Sequence, residues 1–251
     1  MIKGKKVVAT IQARMTSSRL PGKVLMDLVG RPVLAHMIER HRRSKFTDEV
    51  VVATTINKTD DPIIELCKKM NCPFYRGNEN DVLSRVTEAV EKSNAEIVVQ
   101  GMADSPLVDW RIVDHLVEML VDGDYDYASN ELEPSFPVGL DARAFLFSAL
   151  KKSEEEAEED MYREHAGFYI YKHPDIFKLV NWKAPKEMFW PDLRLTLDTE
   201  EDYKLIQSVY NELFSKNNDF SGEDIVNFLR KRPDLVAINA DVEQKIPSLI
   251  I

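Results

Sequence analysis

The chain has 251 residues, 44% hydrophobic and 30% charged, the balance of a globular protein rather than of a disordered one. Its formal net charge of -10 sets a negative average field, which excludes nucleic acid or an anionic membrane as an expected partner outside one basic cluster near the N-terminus. The length allows one large α/β domain or two small ones, each able to bury a core.

The leading segment MIKGKKVVATIQARM carries an apolar run too short for a signal peptide or a spanning helix, and arginines follow it at once, so a cytoplasmic protein is expected. Within it KVVATI (6 to 11) reads as a buried first strand. Val33, Leu34, Met37 and Ile38 then repeat at helical spacing behind Pro32, and EVVVATT (49 to 55) is a second strand. Asp60, Asp61 and Pro62 open a helix carrying Ile63, Ile64, Cys67 and Met70, which Asn71 ends. Cys67 and Cys72 lack the partners a zinc site needs and read as reduced structural thiols.

The same alternation continues with Val82, Leu83, Val86 and Val90 on a helix, EIVVQ (96 to 100) as a strand, and Ile112, Val113, Leu116 and Val117 on a helix. Strand and helix in turn predict a mostly parallel sheet with helices on both faces. After about residue 124 the rhythm loosens, leaving YDYAS, GFYIY and LRLTL as candidate strands. EEEAEEDMYRE (154 to 164) reads as a solvated helix face, and Tyr203, Ile206, Val209, Tyr210 and Leu213 mark a packed C-terminal helix. No internal repeat is visible.

The most informative stretch is IQARMTSSRLPGK (11 to 23), where a buried strand ends in a loop carrying Arg14, Arg19 and Lys23 with Ser17, Ser18 and Gly22. Three cations in ten residues at a strand's carboxyl end suit a polyphosphate, because open α/β sheets bind ligands there and arginine and lysine neutralise phosphate oxygens. The loop has neither the GxxxxGK[ST] of a P-loop nor the GxGxxG of a dinucleotide fold, which disfavours an ordinary NTPase or dehydrogenase.

Ala13-Arg14 followed by Ser18-Arg19-Leu20-Pro21-Gly22-Lys23-Val24-Leu25 closely resembles the SpsF-like cytidylyltransferases, named for spore-coat polysaccharide synthesis and similar to the CMP-sugar synthetases for keto-deoxy and nonulosonic acids. The resemblance extends in order and spacing through VVATT (51 to 55), DDPI (60 to 63), FYRGNENDVLSR (74 to 85), ADSPLVD (103 to 109), YDYASN (125 to 130), PVGLD (137 to 141), REH (163 to 165) and LRLTLDTEED (193 to 202). It departs from the family at Ala103, where glycine is common, and at Gln100, where many relatives carry arginine.

The resemblance implies an α/β, Rossmann-like nucleotide-diphospho-sugar transferase fold, with a mostly parallel mixed sheet flanked by helices. It implies one cytidylyltransferase domain over 1–251, with a nucleotide-binding part at about 1–124, an acceptor-binding and dimerisation part at about 125–195, and C-terminal helices over 199–251. CTP would lie against Ala13, Arg14, Ser18, Arg19, Lys23, Thr54, Arg85, Gln100 and Ala103. Arg14, Arg19, Lys23 and Asp104 would carry catalysis, and Asp104 and Asp198 would hold Mg²⁺, a cation suited by two carboxylates, water and phosphate. On spacing alone Asp104 reads equally as the cap of a turn at Ser105-Pro106, and Asp198-Thr199 as a helix N-terminus. Candidates for the acceptor are Asn130, Gly139, Asp141, Arg163, Glu164, His165 and Arg194. Of these, Arg163 or Arg194 suits a carboxylate or phosphate, and His165 suits a hydroxyl to be oriented or deprotonated. His36, His41, His115 and His173 receive no role.

The expected reaction is attack by an acidic sugar on the α-phosphorus of CTP with release of pyrophosphate, for surface polysaccharide or glycan synthesis. A nucleotidyltransferase for a phosphorylated or phosphonate alcohol shares the same motifs, and a non-catalytic nucleotide-binding module is the rival outside enzymes. The resemblance also implies a homodimer, for which Phe145, Phe147, Phe189 and Trp190 are candidate contacts.

Overall fold

A computed structural model of the chain describes residues 1–244. Strand β1 (Val7–Gln12) leads through a loop and the short hairpin β2 (Asp27–Leu28) and β3 (Arg31–Pro32) into helix α1 (Val33–Arg42). Strand β4 (Glu49–Thr55), helix α2 (Asp61–Lys69), strand β5 (Phe74–Gly77), helix α3 (Val82–Ser93), strand β6 (Ile97–Met102) and helix α4 (Trp110–Asp122) continue the alternation read from the sequence. Then come β7 (Tyr127–Ser129), β8 (Arg143–Leu146), α5 (Phe147–Glu156), α6 (Asp160–Glu164), α7 (Phe168–Lys172) and β9 (Leu179–Asn181). Helices α8 (Glu200–Leu213), α9 (Gly222–Leu229) and α10 (Pro233–Val236) close the described chain. The expected C-terminal helical part reached to 251; its last seven positions, 245–251, lie outside the described residues.

The main sheet has the order β5-β4-β1-β6-β8-β7-β9. It is parallel from β5 to β6 and between β7 and β9, and antiparallel where β8 meets β6 and β7. This is the mixed, mostly parallel α/β sheet that the alternation and the resemblance predict. From β1 the chain winds outward to β4 and β5, then returns to the other side of β1 with β6. The carboxyl ends of β1 and β6 therefore flank the point where winding reverses, the place where such sheets bind ligands.

Period-two alternation divides the core between the two faces of the sheet. Val7, Ala9 and Ile11 of β1 pack in one cluster with Leu34, Met37 and Ile38 of α1 and Ile112 of α4, while Val8 packs in the other with Leu83 and Val86 of α3 and Ile170 of α7. The helix ends follow local chemistry. Asp81 accepts from the Ser84 amide at 2.9 Å at the head of α3, and Thr199 and Asp202 form a reciprocal capping box at the head of α8. Asn71, at φ 48°, stops α2.

Three expectations change. GFYIY is not a strand: Gly167, at φ 87°, starts the turn into α7, and the aromatic side chains pack with Tyr162, Tyr127 and His173 instead of a sheet. LRLTL is extended but builds no strand, making one bridge between Arg194 and Val138 and spending the Leu197 amide on the Asp104 carbonyl at 2.7 Å. EEEAEEDMYRE is two helix pieces, the end of α5 and α6, parted at residues 157 to 159. Of the aromatic residues considered for a dimer contact, Phe145 is fully buried against Tyr127, whereas Phe189 is 54% exposed. Both cysteines are buried free thiols. Among the described residues no helix is long and apolar enough to cross a membrane.

Candidate active site

The loop after β1 is tied at both ends. The Ala13 amide bonds the Ala53 carbonyl at 3.2 Å, the Met15 amide donates to Asp60 at 2.8 Å, and the Gly22 amide closes on the Met15 carbonyl at 2.9 Å. Gly22 sits at φ 74°, a conformation glycine takes without strain. Asp60 is buried and also accepts from the Thr54 hydroxyl at 3.2 Å and the Thr55 amide at 3.3 Å, so one carboxylate binds the end of β4 to the loop. Thr54, which the resemblance places at the nucleotide, is thereby spent on the fold and does not line the cleft.

The tied loop lines a cleft of about 640 Å³ at the carboxyl ends of β1 and β6. Arg14, Ser18, Arg19, Lys23, Arg85, Ala13 and Ala103, all expected at the nucleotide, line it together. Each loop cation rests on a carboxylate. Arg14 pairs with Glu79 at 3.3 Å, and Glu79 also accepts from the Thr16 hydroxyl at 2.7 Å. Arg19 and Lys23 both reach Asp198, each at 2.9 Å, and Lys23 donates to the Leu197 carbonyl at 2.7 Å. Arg85 is buried and grips the Asn78 and Glu79 carbonyls, shaping the turn that presents Glu79.

A second cavity of about 350 Å³ adjoins the cleft and shares Arg19, Met102, Asp104, His165 and Asp198 with it. It opens where β6 and the segment entering β8 part, beyond the last paired residues Gln100 and Arg143. Gln100, expected at the nucleotide, lines this cavity and not the cleft. It is also not a strand end, because β6 runs on to Met102. Asp141 and His165 line the second cavity, and Arg163, Glu164 and His165 line the cleft.

Four acceptor candidates are committed elsewhere. Asn130 is buried and holds the chain between β7 and β8, donating to the Leu140 carbonyl at 3.1 Å and accepting from the Ala142 amide at 2.8 Å. Gly139 sits at φ 101°, and a Cβ there would fall 2.6 Å from the Leu195 carbonyl carbon, so its role is close backbone approach. Arg194 is buried between Asp198, at 2.7 Å, and Asp202, at 2.9 Å, and orients the first rather than meeting a ligand. Arg163 pairs with Asp81 at 2.6 Å and Glu154 at 3.2 Å, leaving it no open fork for a carboxylate.

The electrostatics separate the two aspartates. Burial would push Asp198 up, but Lys23, Arg19 and Arg194 outweigh it and hold the carboxyl below its ordinary range. Asp104 has no such cage. Burial and the neighbouring Asp198 push it up against the pull of Lys23, and the Ser105 hydroxyl at 3.3 Å is its one polar side-chain contact among the described residues. Asp141 is pushed up to about 7 by burial and by Glu131. Burial lowers His165 from its ordinary range, and His41 is lowered to about 4 by burial and Arg40. Among the described residues no group of three or more His, Cys, Asp or Glu forms a ready-made metal cage.

The sequence reading missed Glu79, Glu131, Arg143, His41 and Thr196, all of which line one of the two spaces. Glu131 and Arg143 form a two-pronged ion pair, one prong at 2.7 Å, between residues twelve apart that no local periodicity connects.

The sequence pattern of the cytidylyltransferase family matches residues 8–225, a span that holds the loop, both aspartates and nearly all of both cavities. The chain belongs to the cytidylyltransferase family. It is similar to the spore coat polysaccharide biosynthesis protein SpsF of Bacillus subtilis, 33% identical over 91% of this chain and 95% of that one. A solved cytidylyltransferase from Leptospira borgpetersenii superposes with a TM-score of 0.87 at 33% identity, over 96% of this chain and 99% of the other. A CMP-2-keto-3-deoxy-manno-octonic acid synthetase solved with CTP shares the fold, with a TM-score of 0.62 and 20% identity over 82% and 99% of the two chains. As a cytidylyltransferase, the chain is a CTP-dependent nucleotidyltransferase.

Proposed function

We propose that this cytidylyltransferase transfers CMP from CTP to an acidic sugar of the nonulosonic or keto-deoxy acid type, with release of pyrophosphate, for surface polysaccharide or glycan synthesis. The observation that carries the reading is the pair of adjoining spaces, a basic cleft and a smaller pocket, joined across Asp104, Arg19 and His165. The triphosphate would lie along Arg14, Ser18, Arg19 and Lys23, whose cations neutralise the departing pyrophosphate. The acceptor would approach from the second cavity, in line with that leaving group.

Magnesium would be held by Asp104, whose buried carboxylate has no ion pair of its own among the described residues, and by Asp198 once Arg19 and Lys23 turn from it to the phosphates, with water and phosphate completing the octahedron. When bound, the ion supplies charge to the reacting phosphate. His165, at the junction of the two spaces, would take the acceptor hydroxyl's proton.

The pocket's charges favour a monoanionic acceptor over a phosphorylated alcohol. Its two cations are Arg143, held by Glu131, and Arg19, held by Asp198. A dianionic phosphate wants an open cluster of cations, whereas one carboxylate can take the remaining face of Arg143. The name of the SpsF relative, a spore coat polysaccharide biosynthesis protein, supports a sugar acceptor.

Pyrophosphate release tests the proposal, measured with each of the four NTPs against nonulosonic acids, keto-deoxy acids and phosphorylated polyols. The expected result is turnover with CTP and a sugar acid. Turnover only with a phosphorylated polyol would replace the acceptor, and CTP binding without turnover across the panel would favour a non-catalytic module.

A further inference from the structure

Three polar side chains around the second cavity hold hydrogen-bonding atoms that nothing among the described residues satisfies. Gln100 is 6% exposed with Oε1 unpartnered, Thr196 is 5% exposed with Oγ1 unpartnered, and His41 is 1% exposed with both ring nitrogens unpartnered. All three line this one cavity. Buried polar groups are almost always paired, because giving up water without a replacement is costly. Such exceptions gathered around one space point to partners that a ligand brings.

The fold keeps these groups in place. Gln100 lies in β6, in register with Thr10 of β1 and Arg143 of β8. His41 stands on α1 beneath Gly101, where a Cβ would fall 2.7 Å from Nε2, so the missing side chain at 101 makes room for the ring. Thr196 sits in the segment that the Leu197 amide pins to the Asp104 carbonyl.

None of the three is charged. Gln100 Oε1 asks for an O–H or N–H, the Thr196 hydroxyl donates or accepts, and the neutral His41 ring has one nitrogen of each kind. A second anionic group beside them would meet the carboxyl groups of Glu131 and Asp141 and find Arg143 already engaged. An apolar group would leave the polar atoms dry. Hydroxyl and amide groups satisfy all of them.

We propose that Gln100, His41 and Thr196 are specificity-determining residues that read an uncharged, hydroxyl- or amide-bearing arm of the acceptor. This rests on the reading that the second cavity is the acceptor site. It also explains why glutamine, not arginine, stands at position 100: a cation there would suit an anion, and a carbonyl oxygen suits a donor.

Thr196→Val and Gln100→Met keep shape and remove the unpartnered atom, which gives two independent readouts. In ligand-free protein each variant is expected to raise Tm by about 1–4 °C, since an unpaired buried polar atom is replaced by an apolar one. With CTP saturating and a 2-keto-3-deoxy sugar acid as acceptor, kcat/KM for the acceptor should fall about 10- to 100-fold, with KM for CTP held within about twofold. An acceptor analogue stripped of its side-chain hydroxyls should be used equally by wild type and variants. A lowered Tm in both variants would overturn the proposal, because the atoms would then belong to the protein's own network. A raised Tm with unchanged acceptor kcat/KM would overturn it as well. If wild type turns over no sugar acid, the acceptor reading fails separately, and the Tm of the ligand-free variants still decides whether these atoms are kept for a ligand.

Discussion

Lys23→Ala should lower kcat/KM for CTP by about 10²- to 10³-fold, the range for losing one preorganised stabiliser of developing charge, while the chain stays folded. Lys23 is buried with its ammonium 2.9 Å from Asp198 and 2.7 Å from the Leu197 carbonyl, so its charge is fixed where the loop enters the cleft. Fixed charge of this kind needs no rearrangement when pyrophosphate leaves. The fold survives because Arg19 and Arg194 remain on Asp198, at 2.9 and 2.7 Å, and Asp104, which loses the pull of Lys23, can take up a proton. Steady-state pyrophosphate release beside a thermal melt checks both halves. Activity within about threefold of wild type would remove the lysine from the chemistry, since a surviving charge effect is far larger than that.

The two aspartates should separate under substitution by asparagine. Asp104→Asn is expected to lose at least about 10³-fold in turnover and to keep or raise Tm. Its carboxylate is disfavoured by burial and by Asp198, so a neutral side chain of the same shape relieves the folded state. Asp198→Asn should lose both activity and about 3 kcal/mol or more of stability, because breaking a buried ion pair leaves its partner's charge uncompensated. Here Lys23 and Arg194, both nearly inaccessible, lose that carboxylate together, though Arg194 retains Asp202.

The sign of the pH dependence follows. A carboxyl held below its ordinary range contributes stability above the unfolded pKa of about 4 and loses it as pH falls through the lower folded value. The acid side of the stability profile should therefore be flatter in Asp198→Asn than in wild type. Equal thermal losses in both variants would contradict the distinction drawn between the two carboxylates.

Much of the basic cleft was legible in the sequence because its parts are contiguous: a strand, then a loop with cations at short spacing, then glycine where the loop closes. The β1-to-β6 half of the sheet was equally readable, since each strand and helix carries its own period. What failed depended on partners distant in the chain. Arg194 and Arg163 looked like free forks, but Asp198, Asp202, Asp81 and Glu154 occupy them. Thr54 looked poised for a ligand, yet Asp60 takes its hydroxyl. GFYIY carried strand-forming residues and became helical because Gly167 turns the chain and the rings find aromatic partners. His41 gave no signal at all. Its place at the cavity arises from the absence of a side chain at Gly101, sixty residues away.

Double-labelled CTP offers the most direct test of nucleotidyl transfer between the cleft and the adjoining cavity. With label on the α- and γ-phosphorus, magnesium and a keto-deoxy or nonulosonic acid, the α label should appear in the sugar adduct and the γ label wholly in pyrophosphate, in equal amounts. Transfer of the γ label to the sugar, or release of α-labelled CMP at a rate independent of the acceptor, would contradict attack on the α-phosphorus from the second cavity.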